Sequence, residues 1–345
     1  MKNLKKVIVT GGYGFIGSNL IKYLLKKNYF VINVDKLSYS ANFYNLMKFP
    51  KNKYVFFKTD INQKKLFLKI LKKYKPSTVF NLAAETHVDR SIDDPGPFIK
   101  NNIYGVFNIL ESIRSYTKKI KKKIKLVHIS TDEVYGDLKK KNQRASENFS
   151  YNPSSPYAAS KASADLLIKS YIRTYKFPAI IANCSNNYGP NQFPEKLIPK
   201  IIFNIINNKP IPIYAKGLNT REWIYVEDHC RALELLSSNG KIGQNYNIGT
   251  NINLTNLKLT QLIINSVKKI RRIGNKVKIV YVKDRPGHDF RYAINSKKIR
   301  NELKWKPLTD LKVGIFKTIK WYLNNKEYFK SIRNKKNFSR MGTKI

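Results

Sequence analysis

Cysteine is scarce in this chain of 345 residues: Cys184 and Cys230 are its only two, and they lie far apart. Two separated cysteines make no disulfide framework, which points to a reducing cytosol and a cytoplasmic protein. Long apolar runs are missing as well. None approaches the roughly 20 residues of a spanning helix, and the short apolar strand at the N-terminus cannot be a signal-peptide core. No membrane partner is expected. Acidic residues are few, 22 against 66 Lys and Arg, for a formal net charge of +44. Such an excess ordinarily suggests a nucleic-acid or membrane surface. Here the lysines are spread over nearly every segment and accompany abundant Asn, Ile and Tyr, residues that share A/T-rich codons. Biased composition explains the charge, and no specific nucleic acid is expected. The densest clusters, Lys118 to Lys125, Lys139 to Lys141 and Lys268 to Arg272, read as solvated surface or loops. A positive field also attracts an anionic ligand. His87, His128, His229 and His288 show no metal-ligand spacing, so no metal is expected; His128, inside an apolar strand, reads as structural.

The chain is long enough to bury a sizeable core in two lobes. Alternation of strand and helix through about residue 185 implies an α/β fold, a doubly wound parallel sheet of Rossmann type. Strands are expected at Lys6–Thr10, Val31–Asp35, Tyr54–Lys58, Thr78–Leu82, Leu126–Ser130 and Ala179–Asn183. The first runs directly into Gly11-Gly12-Tyr13-Gly14-Phe15-Ile16-Gly17, followed by helical apolar spacing from Ser18 to Lys27. Gly12, Gly14 and Gly17 fit G-x-G-x-x-G in the strand–turn–helix context of a dinucleotide fingerprint. Asp35 ends the second strand, where a carboxylate holds a ribose diol and favours NAD over NADP; Lys36 beside it tempers the preference.

Thr131-Asp132-Glu133 and, further on, Tyr157-x-x-x-Lys161 carry the chemistry. Adjacent carboxylates offer an acid and a base whose pKa values can be pushed apart. Ser155 can cap a helix with Pro156 in its first turn, and a spacing of four then puts Tyr157 and Lys161 on one helical face. From there the ammonium can lower the phenol's pKa. A phenolate removes a hydroxyl proton while a nicotinamide takes the hydride, and the carboxylates suggest a second reaction, loss of water.

These motifs resemble the extended short-chain dehydrogenase/reductase family, most closely its dTDP-glucose 4,6-dehydratases. The resemblance runs from residue 5 to about 325 through Asn81-Leu82-Ala83-Ala84-Glu85-Thr86-His87-Val88-Asp89-Arg90-Ser91, Ser130-Thr131-Asp132-Glu133-Val134-Tyr135-Gly136 and Ser185-Asn186-Asn187-Tyr188-Gly189-Pro190. Pro194-Glu195-Lys196-Leu197-Ile198-Pro199, Arg221-Glu222-Trp223 and Asp284-Arg285-Pro286-Gly287-His288 continue it. Thr-Asp-Glu-Val-Tyr-Gly is its most specific piece, because related epimerases usually carry serines at the carboxylate positions.

The resemblance implies NAD as cofactor, held by Gly11, Gly14, Phe15, Ile16, Gly17, Asp35, Lys36, Asp60, Ile61, Leu82, Ala83, Ala84, Asn101, Tyr157, Lys161 and Asn187. It implies dTDP-glucose as substrate, contacted by Thr86, Thr131, Asn186, Glu195, Lys196, Leu197, Pro212, Tyr214, Arg221, Asn256, Asp284, Arg285 and His288. Tyr157 would oxidise C4 with help from Lys161 and Thr131; Glu133 would take the C5 hydrogen while Asp132 protonates the departing C6 hydroxyl. The product would be the 4-keto-6-deoxy sugar nucleotide, of use in deoxysugar biosynthesis. Residues 1–188 would form the cofactor domain, joined by 222–250, and 189–221 with 251–326 a smaller α/β substrate lobe. A basic mobile tail would follow, and a homodimer would pack through helices around Phe98–Arg114 and Pro156–Lys176. Four positions depart from the family pattern: Tyr13 stands where alanine is frequent, Thr86 for a serine whose hydroxyl it keeps, Asn101 for a threonine near the nicotinamide ribose, and Glu222 for an aspartate that would affect how Arg221 is held. The alternatives are a UDP-glucose 4,6-dehydratase, a nucleotide-sugar 4-epimerase and, from another class, a redox-inactive Rossmann protein that binds nucleic acid.

Overall fold

Short runs rich in Val, Ile and Phe, bounded by turn residues, form strands buried on both faces. The computed structural model describes residues 4–46, 51–120 and 123–333. In it β1 (Lys6–Thr10), β2 (Phe30–Asp35), β3 (Tyr54–Lys58), β4 (Thr78–Asn81), β5 (Lys125–Thr131) and β6 (Ala179–Cys184) match the expected strands to within a residue at each end. Next come β7 (Asn186–Tyr188), β8 (Ile211–Tyr214), β9 (Thr220–Tyr225), β10 (Asn245–Ile248), β11 (Asn253–Thr255) and β12 (Ile279–Val282). The central sheet has the order β3-β2-β1-β4-β5-β6-β10, and every pairing in it is parallel. Strand order reverses between β1 and β4. A ligand crevice opens at such a switch point, outside the carboxyl ends of the strands.

Helices cover both faces of the sheet. Leu20, Ile21 and Leu24 of the Phe15–Lys26 helix pack with Leu233 and Leu236 of Val226–Asn239 on one side. Phe67, Ile109, Ile113 and Ile168, from three other helices, fill the opposite side. The smaller lobe has its own core, in which Ile198, Ile201 and Ile205 meet Leu259, Ile263, Ile315 and Ile319. Its strands lie apart from the main sheet, β8 pairing with β12, and β9 lying between β7 and β11.

Two stretches differ from expectation. The chain returns to the large core a second time, inside the stretch expected to belong wholly to the substrate lobe: Ile299 and Trp305 are buried in that core, and the Trp305 indole donates to the Asp228 carbonyl. Residues expected as mobile tail begin instead with a helix, Lys326–Arg333, which buries Tyr328, Phe329 and Ile332. Apolar residues four apart make one face of that helix, and this outweighs its basic composition. Positions 334–345 lie outside the described residues.

The helix that carries the reactive pair starts as its sequence dictates. Ser155 accepts a hydrogen bond from the Ala158 amide, and Pro156 stands in the first turn of Pro156–Tyr175. Ser155→Ala should therefore lower stability by about 1 kcal/mol. Urea titration of parent and variant would show this as a lower midpoint at unchanged slope.

Candidate active site at the carboxyl ends of the strands

Thr131, at the end of β5, caps a single tight turn over Asp132–Tyr135, its hydroxyl accepting from the Glu133 amide at 3.3 Å. Val134 and Tyr135 of that turn point into a small core with Ala162, which anchors it against the Pro156–Tyr175 helix. Gly136 closes it at a φ of +72°, where a side chain would collide with the Asn152 carbonyl. The consequence is that Asp132 and Glu133 are held rigidly beside Tyr157.

Asp132 and Tyr157 are buried, and Glu133 is half-buried. Burial, reinforced by Glu133 and Glu222, pushes the Asp132 carboxyl well above its ordinary range, and its Oδ2 has no hydrogen-bond partner. Burial also raises Glu133, against the pull of Arg285, Lys196 and Arg221. The Tyr292 hydroxyl lies 3.5 Å from Glu133 Oε2. Asp132 is thus suited to hold a proton and Glu133 to accept one, which separates their roles.

The expected lowering of the Tyr157 phenol does not appear in this state. Burial first, and then Glu133, pushes it well above 10. Lys161 faces elsewhere: its ammonium donates to the Ile129 carbonyl at 2.7 Å and lies 3.3 Å from His128 Nε2. Burial lowers Lys161 to about 8. Helical spacing set the common face, but desolvation outweighs the pairwise attraction.

Two adjoining clefts meet at Glu133, Asn186, Asn187, Gln192, Glu195 and Lys196. All sixteen cofactor positions named from the sequence line the first, together with Thr86, Thr131, Asp132 and Glu133. Leu197, Pro212, Tyr214, Arg221, Asn256, Arg285 and His288 line the second. Asp284 lines neither. It accepts from His288 Nδ1 at 2.6 Å and from the Arg285 amide, so it orients its neighbours.

The glycine fingerprint works differently from the expected reading. Gly11, Gly14 and Gly17 line the first cleft, whereas Gly12 faces inward, where a Cβ would strike the Asn33 side chain at 2.1 Å. A Cβ on Gly17 would strike the Gly11 carbonyl at 2.2 Å, so two turns of chain close only without side chains. No side chain caps the Phe15–Lys26 helix, which opens at Gly14. Asp35 accepts from the Tyr13 and Leu37 amides at 2.9 and 2.7 Å, one on each oxygen. Lys36 is tied to Glu85 at 3.1 Å and to Asn101 at 2.9 Å.

In the second cleft the departure at Glu222 has no effect on Arg221. Neighbours in a strand point to opposite faces: Glu222 pairs with Arg144 at 2.8 Å, while Arg221 donates to the Asp289 and Phe290 carbonyls and lies over the Tyr292 ring at 4.2 Å. Sequence reasoning missed Tyr292 and Asp89. Asp89 accepts from Tyr214 at 2.7 Å and Arg285 at 2.6 Å, joining the two lobes. Burial raises its carboxyl, but Arg285 and His87 together outweigh this and hold it below the usual value. Its place inside a motif that also holds Leu82, Ala83, Ala84 and Thr86 was the available signal.

A family model described as GDP-mannose 4,6 dehydratase matches residues 8–318. The chain belongs to this family. The dTDP-glucose 4,6-dehydratase of Neisseria meningitidis serogroup B is 42% identical over 343 residues, covering 96% of this chain and 97% of that protein. The Bacillus anthracis dTDP-glucose 4,6-dehydratase, solved in complex with NAD, superposes with a TM-score of 0.86 at 41% identity, covering 95% of this chain and 99% of that one. The Streptomyces venezuelae enzyme of the same name, with NAD and TYD bound, gives 0.87 at 36% identity, covering 95% and 100%. As a member of the dehydratase family, the chain has the Rossmann-type sheet read from its strand pattern.

Asp132 also sets a stability expectation. Its folded pKa is raised, so the contribution of its protonated form is fully present below about pH 4 and is lost as pH rises through the folded value. Asp132→Asn removes this dependence. Its melting temperature relative to the parent should therefore climb from acid to neutral pH; a constant difference across that range would contradict the buried, proton-holding assignment.

Proposed function

We propose that this chain is a nucleotide-sugar 4,6-dehydratase that converts dTDP-glucose to dTDP-4-dehydro-6-deoxyglucose and water. The observation that carries the reading is the adjacent pair of buried Asp132 and half-buried Glu133, set beside Tyr157 where a dinucleotide cleft meets a cationic one. An epimerase on the same scaffold would need Tyr157 and Lys161 but no paired carboxylates. A nucleic-acid-binding protein would need neither.

The first cleft fits NAD. Its glycine floor lets a pyrophosphate approach the uncapped helix end, and each Asp35 oxygen retains a lone pair for a ribose hydroxyl. Bound NAD would supply a hydride acceptor for C4 and a hydride donor for C6, returning to its starting state in each turnover. The second cleft suits the diphosphate, with Lys196, Arg221 and Arg285 on its wall. Arginine's planar fork matches two phosphate oxygens at once.

Within this frame Tyr157 takes the C4 hydroxyl proton while Thr131 orients the hydroxyl. Oxidation at C4 acidifies the C5 hydrogen. Glu133 removes it, and Asp132 gives its proton to the departing C6 hydroxyl, which leaves as water. Glu133 then returns a proton to C5. A phenol raised by burial holds its proton until a bound cation or substrate changes its surroundings, so Tyr157 is guarded against idle ionisation.

Assembly as a homodimer completes the reading. Ile99, Tyr104, Leu166 and Tyr175 are at least half exposed on the Gly105–Ile120 and Pro156–Tyr175 side of the molecule. Solution scattering should give the mass of two chains, and a monomer at working concentration would contradict it.

Substitutions test the chemistry. Asp132→Asn and Glu133→Gln should each slow loss of water by roughly 10²–10⁴-fold while still allowing C4 oxidation in a single turnover. Tyr157→Phe should suppress the absorbance of reduced cofactor itself. Wild-type rates of elimination in both carboxylate variants would sink the mechanism. On the cofactor side, stripped enzyme should work with NAD and poorly with NADP, since Asp35 repels a 2′-phosphate.

A further inference from the structure

The mechanism leaves two deeply buried ionisable groups unused, His128 on β5 and Asp165 on the Pro156–Tyr175 helix. Both are 0% exposed. We propose that they form a dyad behind Lys161 and act as positioning residues, keeping its ammonium charged and its free protons turned toward the cleft. This assignment rests on the proposed dehydratase reading, with Lys161 assisting Tyr157 during C4 oxidation.

Spacing along the helix supplies the first argument. Residues four apart share a face, so Tyr157, Lys161 and Asp165 form one row that leads from the cleft into the interior. At its inner end the Asp165 Oδ2 oxygen accepts from Ser130 at 2.6 Å, from Tyr151 at 3.1 Å and from Asn183 at 3.3 Å. Its other oxygen, Oδ1, is buried without a hydrogen-bond partner and lies 3.6 Å from His128 Nε2. A buried carboxylate oxygen needs a donor or a neighbouring cation. The imidazole and Lys161 are the groups placed to provide them.

The orientation of the Asn81 amide sets the imidazole tautomer. The Ala83 amide donates to Thr10 Oγ1 at 3.2 Å, and the Thr10 hydroxyl donates to Asn81 Oδ1 at 2.7 Å. Asn81 therefore turns its NH₂ toward His128 Nδ1, 3.0 Å away. An NH₂ can only donate, so Nδ1 accepts and the proton of the neutral ring sits on Nε2. Burial, helped by Lys161, lowers His128 well below its ordinary pKa and keeps the ring neutral.

An Nε2–H cannot accept from the ammonium 3.3 Å away. One ammonium proton goes to the Ile129 carbonyl at 2.7 Å, and the others are left for the cleft that Lys161 lines. Asp165 meanwhile supplies the negative charge that opposes desolvation of the ammonium. Lys161 faces His128 and Cys184 from the sheet, and Asp165 from its own helix. Asp165 faces Tyr151 and Lys169 besides. Among these groups Asp165 is the one whose carboxylate can sustain the charge of Lys161 from behind.

Nitrogen NMR of the full chain, labelled at histidine, reads the tautomer without any substitution. His128 should be neutral with its proton on Nε2 at about pH 7; a proton on Nδ1, or on both nitrogens, overturns the dyad. Asp165→Asn keeps the side-chain volume and removes the charge. Single-turnover C4 oxidation should then fall roughly fivefold or more at about pH 8, with the deficit narrowing toward pH 6 and substrate affinity little changed, as expected if the pKa of Lys161 drops by a unit or more. A pH profile that superimposes on the parent's, or a loss equal at every pH, overturns the charge-keeping role. His128→Gln, whose amide nitrogen can stand in for Nε2–H, should retain more activity than His128→Asn, and the reverse order contradicts the tautomer. If the dehydratase reading itself were wrong, the parent would form no 4-keto product from dTDP-glucose, whereas the histidine spectrum would still decide the dyad.

Discussion

Burial of side chains at the carboxyl end of β5 is the constraint on which the site depends. Desolvation disfavours every charged form: it raises acids and lowers bases. It pushes Asp132, Glu133 and Tyr157 up and brings Lys161 down to about 8. Asp132, Glu133 and Lys161 are moved toward values at which protons can be exchanged, whereas the Tyr157 phenol is moved further from them. Differences among them then come from neighbours. Arg285, Lys196 and Arg221 pull Glu133 back down, while Asp132 is pushed further up by Glu133 and Glu222. One acid and one base result from two adjacent carboxylates.

The architecture explains how such a cluster can be held. A parallel sheet brings the ends of β1, β4, β5 and β6 together on one side. The cofactor cleft, the Asp132–Tyr135 turn and the helix bearing Tyr157 converge there. The smaller lobe contributes Lys196, Arg221 and Arg285 to the second cleft, and polar contacts around that cleft tie it to the large one. Lys196 donates to the Thr86 carbonyl at 2.6 Å, Tyr39 donates to Glu195 at 2.9 Å, and Asp89 receives both Tyr214 and Arg285. Asp89, Glu195, Lys196, Tyr214 and Arg285 all line the second cleft, so the contacts that join the lobes also fix the arginine on its wall.

Local patterns in the sequence carried much of this. The first strands, the Ser155 cap and the common face of Tyr157 and Lys161 follow from rules acting over a few residues. What escaped depends on distant partners. Ile299 and Trp305 look like ordinary apolar positions, and only the tertiary fold returns them to the large core. Glu222 stands next to Arg221 in sequence, yet strand alternation sends it to Arg144, which no local rule could select. Gly12 fits the fingerprint by spacing, but its neighbour is Asn33 across the strand and helix junction. The expected influence of Lys161 on Tyr157 was a pairwise argument, and burial, a property of the whole surroundings, overrode it.

The central claim is that one buried site oxidises C4, eliminates water between C5 and C6, and reduces C6 with the same hydride. The most direct test follows that hydride. Purified enzyme would be given dTDP-glucose carrying deuterium at C4, and the product examined by NMR and mass spectrometry. Deuterium recovered in the new methyl group at C6 of a 4-keto sugar is the predicted result. Deuterium that remains at C4 of an inverted sugar, or a C6 hydroxyl retained in the product, would contradict the account.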